Sequence, residues 1–160
     1  MSVLKPVTGK RPKLIGTDLD GTIVAHYGFI SERTKIAFTA AHEAGIHIYF
    51  VTGRPIRWMV EIKENFNFCI GICGNGAMLY DFINQKVLEQ WLFSVENQLE
   101  TIKRLRKVIP SVTFALDVEE YFIREKYYKP KWDVDKDYTS VDKIEEVITK
   151  DQTILQHGGM

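Results

Sequence analysis

The segment Leu14-Ile15-Gly16-Thr17-Asp18-Leu19-Asp20-Gly21-Thr22 decides the fold class. Its apolar start predicts a buried β-strand, and two carboxylates follow where that strand ends. Side chains two positions apart on a strand share a face, so Asp18 and Asp20 are expected at one site if the strand does not turn at Leu19. Ionised carboxylates are costly to bury alone, so this end of the strand predicts a bound cation, proton or ligand. The alternative is an ordinary acidic turn, because Asp and Gly are common turn residues.

The overall composition is that of a globular protein without a charge bias. Of 160 residues, 45% are hydrophobic and 26% are charged, and Lys plus Arg equals Asp plus Glu at 21 each. This balance provides no overall field for nucleic acid or anionic membranes, so neither partner is expected. The apolar runs are far shorter than the roughly 20 residues of a membrane helix, and the N-terminus lacks the apolar segment of a secretory signal. We therefore expect a cytoplasmic protein.

Two cysteines, Cys69 and Cys73, lie on the predicted strand Phe68–Cys73. At about 3.3 Å per residue they are roughly 13 Å apart along the strand. That separation is too large for a disulfide. We expect two buried free thiols in a reducing compartment.

The residues after the acidic segment predict a βαβ unit. Ser31 is a helix N-cap candidate, and Gly45 is the matching stop signal. Apolar residues at helical spacing predict a buried stripe formed by Ile36, Ala37, Ala40, Ala41 and Ala44. The strand Ile46–Val51 follows, and its continuous apolarity is typical of a parallel sheet covered on both faces. These elements predict an α/β fold.

Polar residues follow the second and third predicted strands. Thr52, Gly53 and Arg54 come after the second strand, and Pro55 predicts that a helix starts directly behind them. Asn75 lies in a Gly-Asn-Gly turn after the third strand. Ligands of open α/β sheets bind beyond the carboxyl ends of neighbouring strands, so these residues are candidate phosphate ligands beside the two aspartates. The alternatives are a simple helix cap after the second strand and a hairpin turn after the third.

The run Asp18-Leu19-Asp20-Gly21-Thr22 resembles motif I of the haloacid dehalogenase-like phosphohydrolase superfamily, Asp-x-Asp-Gly-Thr after a hydrophobic strand. Thr52-Gly53-Arg54 resembles motif II of its Cof-like, class IIB branch, and Asn75-Gly76-Ala77 resembles the exit of that branch into the cap domain. The resemblance implies a partial Rossmann-like parallel-sheet core with an α/β (C2B-type) cap. Residues 1–77 would form the N-terminal half of the core, and residues 78–160 would form an incomplete cap.

The resemblance also implies a phosphomonoester hydrolase. Asp18 would attack phosphorus to form an aspartyl-phosphate, Asp20 would serve as general acid and then base, and both would bind Mg²⁺. The phosphate of a small metabolite, such as a sugar phosphate, would be bound by Gly21, Thr22, Thr52, Gly53, Arg54 and Asn75. In this family the core resumes after the cap with a Lys that stabilises the transition state and then a Gly-Asp motif. The sequence up to residue 160 contains neither of these two core motifs. Weak Mg²⁺ binding is therefore expected, with turnover slower by about 10² to 10³.

The second half of the chain carries no sharp motif. Segments 78–81 and 87–91 predict a hairpin in the cap, and Ser94 predicts the start of a helix that ends at Pro110. The basic residues of that helix are expected on a solvated face: Lys103, Arg104, Arg106 and Lys107. Strands are predicted around 112–116, 121–124 and 153–155, and a capping box at 139–142 predicts a last helix.

A binding protein is the alternative to an enzyme. If the chain is complete, it is expected to be a non-catalytic remnant that binds a phosphorylated ligand or a partner. In the family the strand that carries Asp18 is central, so the absence of its other neighbours would leave an open edge and favour self-association. A general nucleotide-binding module is less favoured, because the sequence has no glycine-rich phosphate loop.

Overall fold

The computed structural model describes residues 9–25, 28–118, 121–130 and 138–150. They form one five-stranded and one three-stranded sheet, so the α/β prediction is confirmed. The first sheet and its helices comprise β1 (Leu14–Asp18), α1 (Glu32–Glu43), β2 (His47–Val51), α2 (Val60–Asn65), β3 (Ile70–Cys73), β4 (Met78–Asp81) and β5 (Lys86–Gln90). The second unit comprises α3 (Val95–Val108), β6 (Ala115–Val118), β7 (Tyr121–Glu125), β8 (Tyr138–Val141) and α4 (Glu145–Lys150).

The first sheet has the order β1-β2-β3-β4-β5. Its first three strands are parallel, as the βαβ prediction requires, and the register aligns Asp18 with Val51 and Val51 with Ile72. The carboxyl ends of these strands therefore lie at one edge of the sheet. Within the described residues β1 pairs with β2 alone, so β1 is an edge strand.

The hairpin of β4 and β5 extends the first sheet. Strand β4 pairs antiparallel with β3, and Phe82, at its turn, is only 4% exposed in the core of this sheet. The hairpin was predicted as part of the cap, whereas in the structure its two strands belong to the same sheet as β1, β2 and β3. Whether the two functional units divide at residue 77 stays a prediction.

Helix α1 packs on the sheet through a different face from the predicted one. The Phe38 ring lies 6.4 Å from the Phe50 ring and 6.1 Å from the Phe66 ring, measured between centroids. Because this bulky side chain sets the contact face, Ile36 points away and is 68% exposed. Of the predicted stripe, only Ala41 packs against the core. The predicted N-cap at Ser31 is confirmed by its Oγ, which accepts from the Thr34 N–H.

The second unit has its own apolar core. Its buried side chains come from α3, β7 and α4: Ile102, Ile123, Ile144 and Ile148. The predicted N-cap at Ser94 is confirmed, since its Oγ accepts from the Asn97 N–H. The predicted last helix is confirmed as α4, but residues 138–141 form β8, parallel to β7, so the capping box assigned to residues 139–142 was wrong. The strand predicted at 153–155 lies outside the described residues.

A charged cluster joins the elements of the second unit. Arg106 donates hydrogen bonds to Glu125 and Glu145, and Glu125 is only 4% exposed. Arg106 was predicted on a solvated face, and the structure corrects this because two glutamates from other elements surround its guanidinium. These hydrogen bonds hold the pKa of Glu145 below its usual value.

Cys69 and Cys73 are free and buried, as predicted. Burial raises the pKa of each thiol to about 12. Among the helices in the described part of the chain, none is long and apolar enough to cross a bilayer.

Candidate functional site

The two motif aspartates flank a fully buried leucine at the end of β1. The Leu19 carbonyl accepts backbone N–H groups from Thr22, Ile23 and Val24 at 2.9 to 3.1 Å, so the chain turns tightly around this residue. Leu19 is 0% exposed, whereas both aspartates are exposed. The strand ends before Leu19, so the common-face geometry expected for a continuous strand does not apply. The turn, with Leu19 anchored inside, presents the two carboxylates to solvent.

Asp18 is oriented by a hydroxyl four residues later. The Thr22 Oγ1 donates to the Asp18 Oδ2 at 3.2 Å. Gly21, between the two, has φ of +77°, a conformation that glycine adopts without strain. The loop therefore brings the Thr22 hydroxyl back to the Asp18 carboxylate, where it binds Oδ2.

Asp20 is bound by the arginine of the second motif. The Arg54 Nε lies 3.0 and 3.2 Å from the two Asp20 carboxylate oxygens, and Nη2 donates to Oδ1 as well. Such a two-pronged contact fixes the plane of the carboxylate. It also raises the pKa of Arg54. Arg54 additionally donates to the Trp58 carbonyl at 3.4 Å, while its predicted role in substrate binding stays a prediction.

Thr52 is buried at the carboxyl end of β2. Its Oγ1 accepts the Arg54 N–H at 3.1 Å, which leaves the hydroxyl hydrogen to donate. The helix predicted from Pro55 is not continuous: a 3₁₀ turn covers Ile56–Trp58, and α2 begins only at Val60. Thr52, Gly53 and Arg54 therefore precede a short turn rather than the start of a continuous helix.

Asn75 closes over the Thr52-Gly53 turn. It has φ of +57° between two glycines that are also left-handed, and its N–H donates to the Thr52 carbonyl at 3.3 Å. A Cβ on Gly53 would lie 2.9 Å from the Asn75 Oδ1, so a larger residue here would displace the Asn75 side chain. The structure thus brings the residues predicted after the second and third strands into contact.

The donor atoms of the site suit a hard cation but do not form a complete cage. Mg²⁺ prefers oxygen ligands, and the Asp18 carboxylate and the Asp20 main-chain carbonyl would supply them. Among the described residues, no group of three or more His, Cys, Asp or Glu side chains is placed to hold a metal ion. These two residues would therefore share such an ion with phosphate and water.

One contact near the site has no local sequence signal. Arg57, in the turn after β2, forms an ion pair with Asp117 on β6. The residues are 60 positions apart, so the spacing in the sequence does not indicate the pair. It connects the candidate site to the second unit.

Comparison with known proteins identifies the family. The profile of the haloacid dehalogenase-like hydrolases matches residues 15–157. The chain therefore belongs to the haloacid dehalogenase-like hydrolase family, and the resemblance to its Cof-like phosphatases is supported by the relatives it matches.

A curated relative and two solved structures illustrate the match. The 5-amino-6-(5-phospho-D-ribitylamino)uracil phosphatase YcsE of Bacillus subtilis (strain 168) is 26% identical over 98 residues, which are 56% of this chain and 39% of that protein. BT1666, a phosphatase from Bacteroides thetaiotaomicron, aligns with a TM-score of 0.72 and 22% identity over 94% of this chain and 56% of the other. A HAD/COF-like hydrolase from Plasmodium vivax aligns with a TM-score of 0.64 and 20% identity, over 89% of this chain and 54% of that chain.

The two structural likenesses establish a shared fold. The chain spans about a third to a half of the length of its curated relatives and just over half of these two solved chains. The activity of the longer proteins is therefore not transferred to this chain without further support.

Proposed function

We propose that this chain carries the nucleophile and the acid–base group of a Mg²⁺-dependent phosphomonoester hydrolase. The observation that supports this most is the position of Asp18 and Asp20 at the carboxyl end of β1, where Asp18 pairs with Val51, the residue directly before Thr52. Family membership supports the same chemistry. A carboxylate nucleophile divides phosphate ester hydrolysis into two easier displacements.

In the first displacement, the Asp18 carboxylate attacks phosphorus and the bond to the ester oxygen breaks. The hydrogen bond from Thr22 to the Asp18 Oδ2 leaves Oδ1 as the attacking atom. Asp20, in its protonated form, donates its proton to the departing oxygen. In the second displacement, water attacks the phosphorus of the aspartyl-phosphate, Asp20 takes the water proton, and phosphate leaves with Asp18 restored.

The neighbouring residues would bind the phosphoryl oxygens. The Thr52 hydroxyl, the Asn75 side chain and the backbone around Gly53 lie together at this edge of the sheet. Gly21 and Thr22 would contribute from the β1 loop, and Arg54, besides orienting Asp20, would add positive charge. Mg²⁺ held by Asp18 and Asp20 would neutralise charge on the transferred group.

The substrate would be a small phosphorylated metabolite, and sugar phosphates are one class that the motif resemblance implies. YcsE, whose name gives a phosphorylated ribitylaminouracil as its substrate, supports a small molecule rather than a macromolecule. We place the protein in the cytoplasm, because two buried free thiols suit a reducing compartment.

The test is hydrolysis of p-nitrophenyl phosphate with and without Mg²⁺. The wild-type chain is expected to release p-nitrophenol only with Mg²⁺, and Asp18→Asn is expected to fall to the buffer background. Asp142→Asn is the matched control, because Asp142 is exposed and pairs with Lys126 in the second unit. Equal activity in the Asp18→Asn and wild-type proteins would overturn the assignment of the nucleophile.

A second candidate is a binding role through the free edge of β1. The observation that favours it is the edge position of β1 in the described sheet, combined with the 68% exposure of Ile36 on the outer face of α1. Unpaired strand edges next to apolar surface promote association. The chain would then bind a second copy or another partner without turnover.

Sedimentation velocity over a range of concentrations tests this second candidate. It predicts a concentration-dependent dimer and slow hydrogen exchange in β1. A monomer at all concentrations, with rapidly exchanging β1 amides, argues against it.

A further inference from the structure

A cavity of about 550 Å³ lies between the first sheet and the second unit. This volume is in the range of small-molecule sites. Its apolar walls include Trp91, Leu92 and Phe93 after β5, with Leu116, Ile123 and Ile148 from the second unit. Three of these large apolar side chains are unusually exposed to solvent: Trp91 is 59% exposed, Leu92 is 45% exposed and Phe93 is 69% exposed. Contiguous exposed apolar surface of this kind is typical of ligand sites.

The cavity shares a wall with the proposed phosphate site. The turn Gly74–Gly76 lines the cavity. The same turn also contacts two residues of the proposed phosphate site. The Gly74 N–H donates to the Arg54 carbonyl at 3.0 Å, and the Asn75 N–H donates to the Thr52 carbonyl at 3.3 Å. A monoester with its phosphate at Thr52 can therefore extend past Asn75 into the cavity.

The polar groups in the described walls are few, and two already have partners. The Gln98 Nε2 donates to the Phe93 carbonyl at 2.8 Å, and Asp117 is in the ion pair with Arg57. A sugar would bring several hydroxyls into this space, and each would need a hydrogen-bond partner to replace water. A flat aromatic group needs only apolar contact and one or two polar partners at its edge.

We infer that the substrate of the proposed hydrolase is a phosphomonoester whose leaving group is aromatic or heteroaromatic, bound in the cavity between Phe93 and Leu116. This inference rests on the proposed function for the reaction itself. The preference for the ligand is a property of the cavity and can be measured without turnover.

Binding to the full chain is measured by titration calorimetry with Mg²⁺ present, using Asp18→Asn so that the probe is not consumed. The probes are 1-naphthyl phosphate, glucose 6-phosphate and inorganic phosphate. We expect 1-naphthyl phosphate to bind about tenfold or more tightly than glucose 6-phosphate, because its ring buries apolar surface. Inorganic phosphate is expected to compete with it, because the two share the phosphate site.

Phe93→Ala tests the wall of the cavity. Phe93 is 69% exposed, so its removal is not expected to affect folding. We expect this variant, in the same background, to bind 1-naphthyl phosphate about two- to tenfold more weakly and inorganic phosphate unchanged. The matched control is Tyr127→Ala, which removes an aromatic ring that is 84% exposed outside the cavity. This control is expected to bind every probe as before.

The outcomes separate the two proposals. Equal or tighter binding of glucose 6-phosphate, or equal weakening of all probes by Phe93→Ala, overturns the aromatic preference. Failure of inorganic phosphate to compete also overturns it. Selective binding of 1-naphthyl phosphate that the wild-type chain does not hydrolyse would refute the hydrolase and leave the preference for aromatic phosphates standing.

Discussion

Replacing Glu125 with glutamine should destabilise the second unit more than any exposed Glu→Gln change. Three donors converge on this buried carboxylate: the Ile144 N–H lies 3.0 Å from Oε1, the Phe114 N–H lies 3.1 Å from Oε2, and the Arg106 guanidinium donates to Oε1. Glutamine has one acceptor oxygen and one amide group that can only donate. In Glu125→Gln at least one of the three donors therefore faces another donor.

The cost follows from the hydrogen bonds that are lost. A buried N–H without an acceptor costs about 1 to 3 kcal/mol, and replacing a charged acceptor opposite Arg106 with a neutral one costs about 1 kcal/mol more. Arg106 keeps Glu145 as a partner, so the full penalty of an unpaired buried charge does not apply. We expect a loss of about 3 kcal/mol in the free energy of unfolding. For a chain of this size that corresponds to a melting temperature lower by about 6 to 12 °C.

Thermal unfolding followed by circular dichroism measures this loss. Glu100→Gln is the matched control, because Glu100 also accepts from an arginine, the Arg104 Nε at 2.8 Å, but its side chain is 45% exposed. Exposed ion pairs contribute little to stability, so the control should have the same melting temperature as the wild type. Equal shifts in both variants, or no shift in Glu125→Gln, would refute the view that this carboxylate organises the second unit.

Three further predictions concern the site, the core and acid stability. Arg54→Lys loses the two-pronged contact with the proposed acid–base group and should lower kcat for p-nitrophenyl phosphate about tenfold or more, whereas an unchanged kcat would show that this contact is dispensable. Gly71→Ala would place a methyl 2.7 Å from the Phe82 ring and should cost about 1 to 3 kcal/mol in urea unfolding, whereas Gly16→Ala, with its nearest neighbour at 3.8 Å, should not. Because folding lowers the pKa of Glu145, this carboxylate stabilises the folded state above about pH 4.3, and the stabilisation should be lost as the pH falls through the lowered pKa. In Glu145→Gln the free energy of unfolding should therefore change less between neutral and acid pH than in the wild type.

Signals that act over a few residues predicted their structures well. The N-caps at Ser31 and Ser94 occur where the sequence indicates them, because a hydroxyl three residues before a helical amide is a local geometry. The polar residues after the first three strands also meet at one edge of the sheet, because parallel strands align their carboxyl ends. The roles assigned to those residues remain predictions.

Features set by distant contacts were not predicted. Apolar spacing alone favoured the stripe around Ile36, whereas the packing of Phe38 on the sheet determined which face of α1 is buried. Arg106 belongs to a helix whose basic residues suggest a solvated face, and its partner Glu125 is 19 positions away. The segment before α4 is a strand because β7 supplies its hydrogen bonds, and this pairing overrides the capping-box pattern.

The most direct test of the account is chemical trapping at Asp18. The chain is mixed with Mg²⁺ and p-nitrophenyl phosphate, quenched, treated with borohydride, which reduces an aspartyl-phosphate to homoserine, and digested for mass spectrometry. We expect homoserine at position 18 in the wild-type chain and none in Asp18→Asn. An unmodified Asp18 in the wild-type chain, or homoserine at another aspartate, would contradict this expectation.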